Sequence, residues 1–253
     1  MDTKPDYILQ YVLRIADACL IHGQRLGEWC GHAPIIEEDI ALTNVALDHI
    51  GQARALLTLT GEIEGRGRDE DTLAFLRDER DYRNVTMLEL PNGDFARTVL
   101  RVFLWASFMK VLCQALATST HAQLAAIAAK TLKEVRYHQQ HSGDWVVRLG
   151  DGSDESARRI NEALNLLWPY AAEWFADDAI DAQAQASGLG PAWSTLKNAW
   201  LAELRPVFAA ANLAPLADTP FRSTGKRGVH SEHMGFLLAE MQTLPRSFPG
   251  AAW

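Results

Sequence analysis

Between residues 124 and 149 the chain reads LAAIAAKTLKEVRYHQQHSGDWVVRL, and no other stretch narrows the choice of fold as far. Leu124, Ile127, Ala128, Thr131, Val135, His138, Ser142, Trp145 and Leu149 recur at spacings of three and four, which places them on one stripe of a single long amphipathic helix. Such a stripe has to be buried against other elements of the same chain or of a partner. It also carries chemistry. Glu134 and His138 are four residues apart, so their side chains meet on one face, and His141 follows three residues later on the same side.

The same period recurs along the chain. It predicts helices over 6–30, 36–59, 95–118, 155–175 (kinked at Pro169), 192–212 (kinked at Pro206) and 231–244. Glu37, Glu38 and Asp39 open the second of these, where acids suit the positive end of the helix dipole. Pro91-Asn92-Gly93-Asp94 reads as a turn and cap before the third. The charge-rich stretch 69–90 still contains Leu73, Phe75 and Leu76, so it reads as a short helix followed by an irregular piece. A long connection at that point separates a ferritin-like bundle from a simple up-down-up-down one. No segment alternates with period two between turns, and no repeat or low-complexity linker divides the chain. The expected fold is one all-α domain over residues 1–253: a ferritin-like four-helix bundle with a long crossover and additional C-terminal helices.

Composition excludes some functions. A formal net charge of -8 argues against a nucleic-acid binder, which would carry a basic surface. The start, MDTKPDYILQ, lacks the layout of a signal peptide, and no run reaches the ~18 apolar residues of a membrane span. Cys19, Cys30 and Cys113 each fall in a predicted helix and form no CxxC pair, which fits buried thiols in a reducing compartment. A soluble cytoplasmic protein with no membrane partner is expected. Eight tryptophans suit large helix–helix contacts or partner interfaces.

A carboxylate and an imidazole one turn apart are half of what a carboxylate-bridged di-iron bundle needs. The full set is a Glu from each of two helices and Glu-x-x-His from each of the other two. Glu134 and His138 stand at spacing four rather than three. The second helix offers Asp48, followed by Gly51 where a histidine is wanted, and His49 points about 100° away from Asp48. Asp17 and Glu28 of the first helix do not fall on its stripe. The third decides the matter: from Phe95 to Thr120 there is no Asp or Glu, and Lys110 stands there instead. The expectation is therefore no metal and no catalytic residue in this chain. Asp48, Lys110, Glu134 and His138 remain as remnants of a site, with the Lys110 ammonium facing Glu134 in place of two cations.

Three further patterns need weighing. His230-Ser231-Glu232-His233 suggests zinc, but no third ligand is near, and Ser231 capping the last helix is the plainer reading. Gly225-Lys226-Arg227-Gly228 could meet a phosphate, though it is too short to be specific and otherwise reads as a solvated loop. Arg25, Glu28, Trp29 and His32, packed into a helix end, form either a buried corner network or a docking surface.

The strings QRLGEWCGHAP (24–34), GQAR (51–54), DEDTLAFLRDER (69–80), PNGDFA (91–96), KEVRYH (133–138), GKRGVHSEHMG (225–235) and LAEMQ (238–242) are far more specific than any of these patterns. They resemble the PaaC-type subunits of phenylacetyl-CoA oxygenase (epoxidase), which act in aerobic phenylacetate catabolism, and the likeness runs over nearly the whole length. The resemblance implies a ferritin-like bundle that is not itself the catalyst. It implies a homologous alpha subunit as partner, carrying the di-iron centre and binding the CoA thioester. It also implies a separate reductase subunit supplying electrons for epoxidation of the ring with O2. No catalytic residue carries over, since the family's ligands belong to the other chain. Alone, this chain is expected to self-associate. The competing expectation is a di-iron oxygenase or oxidase in its own right, using Glu134, His138 and Asp48.

Overall fold

The computed structural model describes residues 6–214, 216–217 and 219–251. Within them lie α1 (Asp6–Gly27), α2 (Ile36–Glu64), α3 (Glu70–Phe75), α4 (Phe95–Leu116), α5 (Ala122–Gly150), α6 (Asp154–Leu167), α7 (Ala179–Ser187), α8 (Lys197–Ala210) and α9 (Glu232–Ser247). Short 3-10 turns join several of them. The described residues contain no strand, only an isolated bridge between Thr224 and Val229. The protein is all-α. Two long helical hairpins, α1–α2 and α4–α5, are separated by a crossover over 65–94, the connectivity of a ferritin-like chain.

Where the sequence shows no dividing linker, the contacts group the chain into two compact units, residues 1–91 with 223–253, and residues 92–222. The first boundary falls in the Pro91–Asp94 turn. There Gly93 has φ 66° and Asp94 caps α4 by accepting from the Arg97 N–H at 2.9 Å.

In the first unit α1 packs along α2, and α3 packs on α2 and α9. Helix α1 ends at Gly27, three residues earlier than the stripe suggested. Cys30 consequently lies exposed in a turn, whereas Cys19 is buried in the helix. Helix α2 runs five residues past its expected end, to Gly65 in the left-handed conformation.

In the second unit α4 is buried almost all round, against α5, α6 and α8. It is long and apolar enough to cross a membrane by composition, the opposite of what the run count suggested, yet 83% of its most apolar window is buried inside the protein. Helix α5 buries Leu124, Ala128, Thr131, Val135, His138 and Ser142 of the expected stripe, while Ile127, Trp145 and Leu149 are half-buried. Regular α-helix stops at Leu167, and Pro169 sits at the start of a 3-10 segment, so the proline breaks the fifth predicted helix rather than merely bending it. Pro206, by contrast, lies inside α8. Trp105, Trp174, Trp193 and Trp200 are buried with Phe108, their rings in contact at 4.9–5.5 Å. These four tryptophans are core residues.

Candidate functional site

In the second unit, helices α4, α5 and α8 assemble a polar cluster around Lys110. Its Nζ donates to Glu203 Oε2 at 2.7 Å. Gln139 Nε2 donates to the same oxygen at 3.0 Å and lies 3.2 Å from Ser107 Oγ. The expectation that Lys110 would answer Glu134 is therefore wrong. The acid it meets is Glu203, on a helix the sequence marks only by its apolar stripe and its proline. Partial burial pushes the Glu203 carboxyl up, but the Lys110 and Gln139 hydrogen bonds outweigh it and hold its pKa below the ordinary value. The cluster opens into a cleft of about 240 Å³ lined by Phe103, Lys110, Gln139, Gly143, Asp144 and Glu203 among others.

His138 is fully buried one turn from Glu134, which is half-buried, and the His141 ring stacks on Tyr137 at 5.8 Å. Burial pushes the Cys113 thiol up to about 12, and the charge of Glu134 acts in the same direction, so this cysteine is an inert core residue.

In the first unit the sequence misplaced the inward face of α2. Asp48 is only half-buried, while His49 is 1% exposed. The His49 ring lies 4.8 Å from that of His22, and its Nδ1 is 3.3 Å from Gln52 Oε1, which also accepts from the Cys19 thiol. Asp17, expected off the stripe of α1, is wholly buried. Both of its oxygens accept from the Arg77 guanidinium, and Oδ2 also accepts from the Arg83 N–H at 2.8 Å. Burial opposes the charge on Arg77, yet Asp17 more than offsets it and keeps the guanidinium pKa above its usual value. Among the described residues, no three His, Cys, Asp or Glu side chains converge as a metal site.

The densest polar network of this unit lies where the crossover meets residues 223–233. Glu89 is fully buried. Its Oε2 lies 2.7 Å from His230 Nδ1 and accepts from Asn84 Nδ2 at 2.8 Å, and its Oε1 accepts from the Ser231 N–H at 2.5 Å. His230 Nε2 is 3.1 Å from the Tyr82 carbonyl oxygen. Burial pulls the His230 pKa down, but the hydrogen bond and charge of Glu89 prevail and raise it. Ser231 occupies the N-cap position of α9, yet its hydroxyl makes no cap bond, contrary to expectation. Its role passes through the backbone N–H instead.

Gly225-Lys226-Arg227-Gly228 is not a solvated loop either. Lys226 is 2% exposed. A Cβ at Gly225 would collide with the Asn84 carbonyl, and one at Gly228 (φ 76°) with the Arg80 carbonyl. The glycines let this turn seat directly on the 80–86 backbone.

Arg25 belongs to the same network. Its Nε donates to the Glu89 carbonyl at 2.9 Å, its Nη2 to the His233 carbonyl at 3.2 Å, and its Nη1 to Glu28 at 2.6 Å. Trp29 is half-buried and His32 exposed, its Nδ1 3.0 Å from the Cys30 carbonyl. The quartet thus divides: Arg25 and Glu28 tie a corner, and His32 faces solvent.

Arg25, Arg77, His230 and Ser231 of these networks fall in the strings that carried the resemblance, whereas Asp17, Glu89 and the Lys110–Glu203 cluster lie outside them. The family described as "Phenylacetic acid catabolic protein" matches residues 1–253. The chain belongs to this family. It is 47% identical over 246 residues to the C-type subunit of the 1,2-phenylacetyl-CoA epoxidase of Escherichia coli (strain K12), an alignment covering 96% of this chain and 98% of that protein. The family's all-α, ferritin-like character agrees with the helix order found here.

Sequence reasoning missed Glu203, Gln139 and Glu89, and set Asp17 aside as off the stripe of α1. Glu203 and Gln139 sit on helices read for their apolar stripes. Glu89 lies at the end of the crossover, and its partners His230 and Ser231 are more than 140 residues away in sequence.

Proposed function

We propose that this chain is a non-catalytic supporting subunit of a phenylacetyl-CoA epoxidase, paired with a homologous subunit that carries the di-iron centre and binds the CoA thioester. Its relative is named as one subunit of such an epoxidase, which supports the assignment to a multisubunit enzyme. The observation that carries the supporting role is the chemistry of α4. This helix has no carboxylate from Phe95 to Leu116, and the polar head it turns toward α5 and α8 is an ammonium already bonded to Glu203. A di-iron centre needs several carboxylates to offset and bridge its cations, and the residues present do not fit that group. Exchanging a cluster of buried like charges for ordinary packing also favours stability in a half that only supports. The chain's work is then to hold its catalytic partner in shape, within a complex served by a reductase subunit.

The test is iron content and turnover. The full chain, loaded anaerobically with ferrous iron and desalted, is expected to retain almost none. It is expected to give no epoxide from phenylacetyl-CoA with the reductase alone, and to co-elute with and activate the iron-carrying homologue. Retention of about two irons per chain, with epoxidation in the absence of that homologue, would establish the chain as an oxygenase in its own right.

A further inference from the structure

Between α3 and the end of α9 the first unit carries a cleft of about 880 Å³. Small-molecule sites occupy roughly 300–1,000 Å³ and are mostly apolar, with a few polar groups that orient the ligand. The cleft beside Lys110, at about 240 Å³, falls below that range. One wall of the larger cleft is α3 and its C-cap, with Thr72, Phe75 and Leu76, and the other is Pro245, Phe248 and Pro249. Leu76 and Phe248 are 50% and 56% exposed. Large apolar side chains gathered in one concavity, rather than scattered singly, mark a binding surface. The walls are fastened before any ligand arrives. Gln242 Nε2 donates to the Arg77 carbonyl at 2.8 Å and to the Tyr82 hydroxyl at 2.9 Å, and Arg246 Nη2 donates to the same carbonyl at 2.9 Å. Beyond α9 the chain turns at Pro249-Gly250. Gly250 has φ 78°, and the Ala251 N–H donates to the Phe248 carbonyl at 3.2 Å.

The charges select the occupant. Asp69 and Asp71 stand on the α3 side. Hydrogen bonds from Thr72, its N–H at 2.8 Å, hold the Asp69 carboxyl below the usual range, so it is ionised at neutral pH. Asp71 is exposed. Arg246 is the one cation among the described lining residues, and its guanidinium is already turned to the Arg77 carbonyl and to Asp78 Oδ1 at 3.3 Å. The cleft therefore offers aromatic and aliphatic surface beside two carboxylates, with its guanidinium engaged elsewhere. We propose that it binds a small organic cation with an apolar body, of the arylalkylamine class. The ammonium lies beside Asp69 and Asp71, and the hydrocarbon lies against Phe75, Leu76 and Phe248. Burial of the hydrocarbon supplies the affinity. The two acids supply the preference for positive charge, and the phenyl rings favour a cation over a neutral head group. An anion of the same shape meets two like charges and is rejected.

Three probes of one shape separate these effects: phenylpropylammonium, phenylpropanol and phenylpropanoate, titrated into the full chain at pH 7 and followed by methyl-detected NMR. The measurement needs neither iron nor any other subunit, so its outcome is independent of the supporting role proposed above. The ammonium is expected to bind with a Kd of about 1 mM or below. The alcohol should bind about 10-fold more weakly and the carboxylate below detection. The signals that move should be those around the cleft, including Thr72, Leu76 and Ala251. Added salt should narrow the gap between ammonium and alcohol. Asp71→Lys should abolish the preference for the ammonium while leaving alcohol binding and Tm unchanged, because residue 71 is exposed. Phe248→Ala should weaken ammonium and alcohol alike, by about 5-fold. Equal binding of the three probes, no ammonium binding at about 10 mM, or binding indifferent to both substitutions overturns the proposal. So does a cleft that ignores the probes and takes a Lys-Phe-Leu-Lys peptide instead, which would give it to a basic segment of another protein.

Discussion

His230 and Glu89 have fully buried side chains 2.7 Å apart, and neither has water to fall back on. Removing one partner of a buried pair leaves the other uncompensated, so His230→Ala is expected to cost about 3 kcal/mol or more in denaturant unfolding at pH 6. The pH dependence has a definite sign. The folded His230 pKa lies above its unfolded value of 6.5, so the protonated pair contributes fully below 6.5 and loses that contribution as pH rises through the folded pKa. The stability gap between wild type and His230→Gln should therefore shrink from pH 5.5 to pH 9. A gap that widens with pH would show that the neutral ring is the preferred form. Asp17 makes the second such pair. Asp17→Asn keeps the shape but removes the charge facing Arg77, and about 3–5 kcal/mol should be lost in chemical denaturation. The first of these residues was visible in sequence only as half of a His-x-x-His, and the second only as an acid off the stripe. Periodicity reports which face is buried, and it says nothing of a guanidinium arriving from sixty residues away.

At the scale of elements, helices with a long stripe were legible and their ends were not. Most of the stripe of α5 was read correctly, since burial of one face is what periodicity records, although Ile127, Trp145 and Leu149 are only half-buried and the buried Gly143 and Val146 were not on it. Helix α7 was missed because nine residues, AIDAQAQAS, hold too few large apolar side chains to form a stripe. Its markers were present nonetheless: Asp178 and Asp181 form a capping box, and Gly188 closes it with φ 73°. The GKRG turn was readable as glycine-dependent but not as buried, because the 80–86 backbone it seats on lies some 140 residues earlier. Gly225→Ala is expected to destabilise the protein by about 2–3 kcal/mol, since the added methyl meets backbone that cannot move aside. Hydrogen exchange should then rise in α9 and the 223–231 segment and stay unchanged in α4 and α5. Uniform loss of protection would mean that the turn is not a local fastening.

For the molecule as a whole, the class of fold was legible, since it needs only helical periodicity and the absence of period-two alternation. What remained hidden was the aliphatic row on the outside of α2. In sequence, Ile36, Ile40, Leu47 and Ile50 are indistinguishable from core residues, and only exposure sets them apart. The two-unit division was hidden for the same reason, because it is made by contacts between residues 6–91 and 223–251 rather than by a linker.

That division bears on how the chain is made. Residues 92–222 form one uninterrupted unit and can condense as soon as they leave the ribosome. The other unit is synthesised in two instalments. Until residues 230 and 231 have emerged, Glu89 has neither its imidazole nor its backbone donor, and Arg25 waits 208 residues for the His233 carbonyl. The amino-terminal hairpin, translated first, is thus the part that locks last. Nascent chains stalled before residue 223 should expose it to protease while the interior unit already resists.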